Sequence, residues 1–267
     1  MDEQQRSKVI GIVIVALLLV VGWDMVRRMV PHATPHPAPA HVDSAPTQPE
    51  PPPPPTRTTA GTGMPSADTS GPGMLELAAR ADIRRRIRDS YPLTYLRDVV
   101  GESSDSMLHR WDDRIVRPVR VYVSSDTIAN FRPAFLDAIR AAFGRWGDVN
   151  LPLRFDLTAD SGNAEVRFVW RVMFPIDRTG ETDLEWDHEG HLQTATVTIS
   201  TFDPHGRPLG PDDVRVVALH EIGHLIGLDH SPDSTDLMFA KAVVRDLSQR
   251  DIRTAQLLYQ LSPGSLR

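Results

Sequence analysis

Three histidines and one glutamate share the stretch His220-Glu221-Ile222-Gly223-His224-Leu225-Ile226-Gly227-Leu228-Asp229-His230. Two histidines four residues apart stand on one helix face, about one turn from each other, so both imidazoles can reach one ion. Glu221 sits beside that face, within reach of a water on the ion and free of any need to be a ligand. The third ligand must come from beyond the helix. Gly227 can take the left-handed conformation that ends a helix, letting the chain turn back and present His230. Three neutral imidazoles with an open fourth position are the donor set of a catalytic Zn²⁺, whereas a structural zinc has all four positions filled. Such a centre lowers the pKa of a zinc-bound water to about 7, and Glu221 is placed to act on it as general base. A helix that merely carried these histidines would bury several polar groups without partners.

Elements around the motif must hold it in place. Val119–Val123 alternates as a strand, and Phe135, Ile139, Phe143 and Trp146 recur at helical spacing behind Pro133. Leu153–Leu157 and Glu165–Trp170 read as strands, while Thr182–Asp187 and Leu192–Ser200 flank His188-Glu189-Gly190 as a hairpin would. Val214–Gly227 reads as a helix led by Pro211 and two aspartates. Ser248–Leu261 reads as a closing helix whose Ser248 and Asp251 fit a capping box. Strands interleaved with three helices predict an α/β sandwich over residues 115–262. Ahead of it, residues 74–114 form a lead-in whose Met74–Asp89 part is helical, with Arg84–Arg86 on a solvated face.

The chain has 267 residues and a formal charge of −6, which argues against a general nucleic-acid binder with a basic face. With no cysteine, disulfides, thiolate metal sites and a Cys nucleophile are excluded, so any metal falls to His and carboxylates. Near the start, Val9–Val21 is continuously apolar and closes with Gly22-Trp23. As helix, Val9–Trp23 covers about 22 Å; extension to Val26, with Lys8 and Arg27-Arg28 snorkelling, reaches about 27 Å. Residues 1–30 are therefore expected to be an uncleaved transmembrane signal anchor. The alternative is a cleaved signal peptide and secretion, although the nearest small-x-small site, Ala38-Pro39-Ala40, lies well beyond the run. Residues 31–73 hold 13 of the 23 prolines and read as an extended, disordered linker whose His32, His36 and His41 are solvated.

Beyond the motif, Ser231-Pro232-Asp233-Ser234-Thr235-Asp236-Leu237-Met238 places a methionine eight residues after His230. Leu247-Ser248-Gln249-Arg250-Asp251-Ile252 and Leu258-Tyr259 follow. With the histidine motif, these residues resemble the metzincin zinc endopeptidases, and among them the matrixin branch, over roughly Ile115–Leu261. The resemblance implies a twisted mixed sheet, an active-site helix and a C-terminal helix. It also implies one zinc on His220, His224 and His230, Glu221 as general base and later acid, Met238 as the methionine turn under the metal, and a protein or peptide substrate. Three departures stand out. The absence of cysteine excludes a cysteine-switch propeptide. Phe239-Ala240 replaces the usual Tyr-Pro, which leaves the specificity pocket open. The histidine-rich structural zinc loop has no counterpart, and His188, His191 and Asp187 read as a polar hairpin tip in preference to a second metal site.

The expected protein is thus a membrane-anchored zinc endopeptidase with an extracytoplasmic catalytic domain on a proline-rich stalk. Two other readings are a peptide-binding scaffold, against which an intact Glu221 argues, and a hydrolase of cell-wall peptides. Glu181, Asp183, Glu185, Asp187 and Glu189 alternate with Thr182, Leu184, Trp186 and His188, so a strand would carry five carboxylates on one face. The first reading of that face is a charged edge that blocks unwanted strand pairing. Ca²⁺ binding or a preference for basic substrate residues would use the same oxygens. Oligomeric state has no signal in the sequence.

Overall fold

The computed structural model describes residues 73–102, 106–125 and 127–267. The expected anchor, 1–30, and all but the last residue of the expected linker lie outside the described residues. Among the described residues, no helix is long and apolar enough to cross a membrane.

A five-stranded mixed sheet organises the fold. Its strands are β2 (Arg114–Val123), β3 (Leu153–Asp156), β4 (Val166–Arg171), β5 (Gly180–Trp186) and β6 (Leu192–Ser200), in the order β3-β2-β4-β6-β5. β3, β2, β4 and β6 run parallel, and β5 returns antiparallel on β6 as the edge. The return is the hairpin expected from the alternating pattern. Asp187 builds its turn by accepting the backbone N–H of Glu189 (2.9 Å) and His191 (3.0 Å), and Gly190 supplies the positive φ of +85°. β5 ends at Trp186, so only Glu181, Asp183 and Glu185 lie on the strand. Asp187 and Glu189 belong to the turn, and the row of five carboxylates on one face is not formed.

One side of the sheet is covered by two helices, α3 (Ala134–Gly147) and α4 (Pro211–Leu225). α3 buries Phe135, Ile139, Phe143 and Trp146, the stripe visible in the sequence. Full burial of each such side chain is worth roughly 1.5–3 kcal/mol. α4 starts a turn earlier than its apolar pattern, with Pro211 at the first helical position and Asp213 accepting the N–H of Gly210 at 3.1 Å. The closing helix, α5 (Gln249–Leu258), opens with the expected box: Ser248 Oγ accepts from Arg250 and Asp251 N–H, and Asp251 accepts from Ser248 N–H.

The lead-in is more than a spacer. Helix α1 (Met74–Asp89) matches its expected range, and α2 (Leu96–Glu102) and β1 (Met107–Leu108) follow. Ile87, Tyr95, Leu96, Val99, Leu108 and Trp111 enter the same buried core as the sheet and α4. The Arg84–Arg86 face is not simply solvated. Arg84 donates to the Leu266 carbonyl, Arg86 donates to the Gln260 carbonyl, and Arg85 pairs with Asp82. The C-terminal tail so held forms β7 (Gly264–Ser265), antiparallel to β1.

Candidate metal centre and cleft

α4 carries His220 and His224 one turn apart, and the chain leaves it by a tight stop. Gly227, at φ +100°, donates its N–H to the His224 carbonyl (2.8 Å), while Leu228 N–H reaches the Gly223 carbonyl (3.0 Å). This is the glycine-terminated helix end expected from the sequence. Two aromatic groups occupy further carbonyls there: Trp111 Nε1 donates to Leu225 O at 2.9 Å and Tyr259 OH to Ile226 O at 3.1 Å. Trp146 Nε1 of α3 donates to Leu219 O at 2.8 Å, fixing the helix just before His220.

The stop brings His230 back onto the other two rings. One ring nitrogen from each of His220, His224 and His230 lies within 4.8 Å of the others. Among the described residues, no other group of three His, Asp or Glu side chains is placed to share an ion. His220 Nδ1 faces the Leu237 carbonyl and His224 Nδ1 the Leu228 carbonyl, each at 2.8 Å. A carbonyl can only accept, so both Nδ1 atoms carry the proton. The two Nε2 atoms, 3.2 Å apart, are then bare lone pairs in the neutral rings. Burial drives both rings neutral, taking the pKa of His220 down to about 4 and that of His224 down to about 3. Two lone pairs held this close are placed to share one cation, and a set of imidazole nitrogens suits Zn²⁺.

Glu221 is 5% exposed, and burial, opposed by a hydrogen bond from Thr182, raises its carboxyl to about 7. Thr182 Oγ1 of β5 donates to Glu221 Oε2 at 2.7 Å. Gly180 opens the space on the other side: a Cβ there would lie 2.2 Å from Glu221 Oε1 and 2.8 Å from its Cγ. Neither Thr182 nor Gly180 was singled out by sequence reasoning for this role, and no local signal could have found them, since about forty residues separate them from Glu221.

Met238 is fully buried against α4, where a Cβ on Gly223 would stand 2.2 Å from its Sδ. Its turn is tied down by buried carboxylates. Asp251 accepts the N–H of Leu237 (2.9 Å) and of Ser248 (2.8 Å), together with the hydroxyl of Tyr95 (3.0 Å). Asp236, 1% exposed, accepts the hydroxyls of Ser231 and Ser248 and pairs with Arg250. Because the Leu237 carbonyl orients His220, this network reaches the triad through one backbone unit. His188, His191 and Asp187 form the polar tip expected of them: His191 pairs with Asp112 and Asp187, and the carboxylate of Asp187 is taken up by the turn and by Gln193.

A cleft of about 1110 Å³ runs past the triad and Glu221. β5 forms one wall. α4, the 240–243 loop and Leu228, Asp229 and His230 also line the cleft. Glu181 is paired with Arg178 and Glu185 accepts the Thr194 hydroxyl, which leaves Asp183 as the exposed carboxylate of the strand without such a bond.

Comparison with known proteins agrees with this geometry. A peptidase-family model described as Matrixin matches residues 119–260. A second model, described as a domain of unknown function, matches residues 5–165. Metalloendoproteinase 1 of Glycine max is 28% identical over 142 residues, 48% of this chain and 47% of that protein. The match thus spans about half the length of that curated relative.

Proposed function

The chain belongs to the matrixin family, and from that premise we propose that it is a zinc-dependent endopeptidase that cuts internal bonds of peptides or proteins. The observation that carries the reading is the pair of unprotonated Nε2 atoms 3.2 Å apart, with His230 completing the set. His220, His224 and His230 would hold the ion. When bound, zinc supplies Lewis acidity, making a carbonyl a better electrophile and water a better acid.

The chain's own groups do the rest. Glu221, as carboxylate, takes the proton of the attacking water and, as carboxylic acid, passes it to the leaving amine nitrogen. Its burial favours holding that proton between the two steps, and the Thr182 hydroxyl keeps the carboxyl in one orientation. Met238 gives the triad an apolar floor. β5 is the sheet edge beside Glu221, so an extended peptide can add to it by backbone hydrogen bonds, which aligns its carbonyl with the site. A peptide-binding scaffold would have no use for a buried, oriented Glu221.

The proposal extends to the chain's organisation: residues 115–262 are the protease domain, 74–114 the lead-in packed into its core, 31–73 a spacer, and 1–30 an anchor that leaves the catalytic domain on the extracytoplasmic side. Full-length protein should then stay with membranes through carbonate washing. Recovery of soluble chains lacking residues 1–30 would show signal cleavage instead. The activity is tested by mass spectrometry of peptide mixtures, protein-derived and cell-wall-derived, treated with zinc-loaded protein. Internal cleavage of protein-derived peptides is expected, and products from cell-wall peptides alone would move the reading to that substrate.

A further inference from the structure

The hydrogen bonds that orient His220 run on into the lead-in. His220 Nδ1 donates to the Leu237 carbonyl at 2.8 Å, and the N–H of that same peptide unit, on Met238, reaches Asp251 Oδ1 at 3.4 Å. The Tyr95 hydroxyl donates to the same Oδ1 at 3.0 Å. Asp251 Oδ2 is taken up by Leu237 N–H (2.9 Å) and Ser248 N–H (2.8 Å). A carboxylate offers about four acceptor sites, so these donors use all that the fully buried Asp251 has to give. Of the two donors to Oδ1, Tyr95 makes the shorter bond. It therefore fixes the rotation of the carboxylate, and with it the tilt of the peptide unit whose carbonyl faces His220.

Tyr95 is itself firmly held. It is fully buried, its N–H donates to Thr254 Oγ1 at 3.2 Å, and its carbonyl accepts the N–H of Asp98 (2.9 Å) and Val99 (3.2 Å) where α2 begins. One residue thus grips α5 twice, by its backbone at Thr254 and by its hydroxyl at Asp251. The guanidinium of Arg250 lies 5.6 Å from the centre of its ring and pairs with Asp236, so the second buried carboxylate nearby has its own partner. Burial, and then the Asp251 carboxylate, hold the Tyr95 hydroxyl well above its ordinary pKa, so it keeps the proton that it donates. Tyr95 precedes the region matched to the family, 119–260, whereas Asp251, Leu237 and His220 lie within it.

We propose that Tyr95 is a positioning residue for His220, acting through Asp251 and the Leu237–Met238 peptide, so that the lead-in completes the metal centre. This rests on His220 being a zinc ligand. The test compares full-length, zinc-loaded wild type with Tyr95→Phe, which keeps the ring and deletes the donor. Ile87→Val is the control, trimming one methyl from the lead-in's share of the same core at a comparable cost in stability. Two quantities are read: zinc transfer to a chromogenic chelator, and the His220 Nδ1–H resonance by heteronuclear NMR. Partners bonded directly to a metal-binding imidazole carry about 10–100-fold in metal affinity; Tyr95 stands farther out, so Tyr95→Phe should release zinc about three- to tenfold faster. Its His220 Nδ1–H resonance should move upfield as the bond to the Leu237 carbonyl lengthens. The His224 Nδ1–H resonance, bonded to the Leu228 carbonyl, should stay in place as an internal reference. Ile87→Val should match wild type in both resonances and release zinc within about twofold of the wild-type rate. An unmoved His220 resonance in Tyr95→Phe, zinc release within about twofold of wild type, or equal effects in Ile87→Val overturns the proposal. If wild-type protein takes up no zinc, the metal reading has failed, and the same NMR comparison on metal-free protein tests Tyr95 separately. There, a His220 shift confined to Tyr95→Phe sustains the positioning role, and no shift removes it.

Discussion

Replacing Gly180 by alanine puts a methyl carbon where Glu221 now lies. The new Cβ would stand 2.2 Å from Oε1, 2.7 Å from Cδ and 2.8 Å from Cγ. Ordinary contact begins near 3.4 Å, so the carboxyl must retreat by about 1 Å, and the Cγ contact shows that rotating the tip alone is not enough. Retreat also stretches the 2.7 Å bond from Thr182. A misplacement of about 1 Å in a catalytic group costs on the order of 10²-fold in rate. The three atoms nearest this methyl all belong to Glu221 and none to the triad, so zinc should remain. Gly180→Ala is therefore expected to hold one zinc per chain, to melt within a few degrees of wild type, and to lose about 10²-fold in kcat/KM on a fluorogenic peptide. The informative comparison is zinc content and turnover on one sample. Activity within threefold of wild type would refute the claim that Gly180 makes room for the base, and zinc loss would show that the strand and the metal site are not separable.

Three further substitutions probe the supports of the site. Thr182→Val keeps the shape but deletes the donor to Glu221 Oε2; hydrogen bonds to charged groups are worth about 1.5–3 kcal/mol, so kcat/KM should fall roughly 10- to 100-fold with zinc retained, read by steady-state kinetics and metal analysis. Gly223→Ala drives a methyl to 2.2 Å from Met238 Sδ in a fully buried position, and overpacking of about 1–3 kcal/mol should outweigh the gain of about 1 kcal/mol in helix propensity, lowering the melting temperature in calorimetry. Asp251→Ala leaves Leu237 N–H, Ser248 N–H and the Tyr95 hydroxyl without their acceptor. At about 1–3 kcal/mol for each buried donor left without an acceptor, a loss of at least about 3 kcal/mol in denaturant unfolding is expected, with weaker zinc retention because the Leu237 carbonyl orients His220.

What was legible in the sequence was whatever depends on near neighbours. His220 and His224 announce themselves by helical spacing, Gly227 by its conformational freedom, the 187–191 turn by alternation on both sides, and Ser248 with Asp251 by a three-residue capping interval. Each is settled within a few residues, so a local pattern suffices. The groups that orient Glu221 are different in kind. Gly180 and Thr182 meet it only because β5 folds back on β6, and Tyr95 reaches Asp251 across 156 positions. Nothing in the composition of the lead-in distinguished buried Tyr95, Leu96 and Trp111 from a spacer, since their burial is decided by the helices they pack against. The carboxylate row on β5 failed for a local reason: Asp187 is worth more to the chain as an acceptor of turn amides than as one more residue in the strand.

The central claim is that the three histidines hold the ion while Glu221 moves the proton, and Glu221→Gln separates these duties. Glutamine keeps the size and polarity of the side chain and removes the base. Zinc per chain and peptide turnover, measured on the same purified full-length sample, should show about one zinc and a rate lowered by roughly 10²–10⁴. A zinc-loaded Glu221→Gln protein that cleaves within tenfold of wild type would contradict the account.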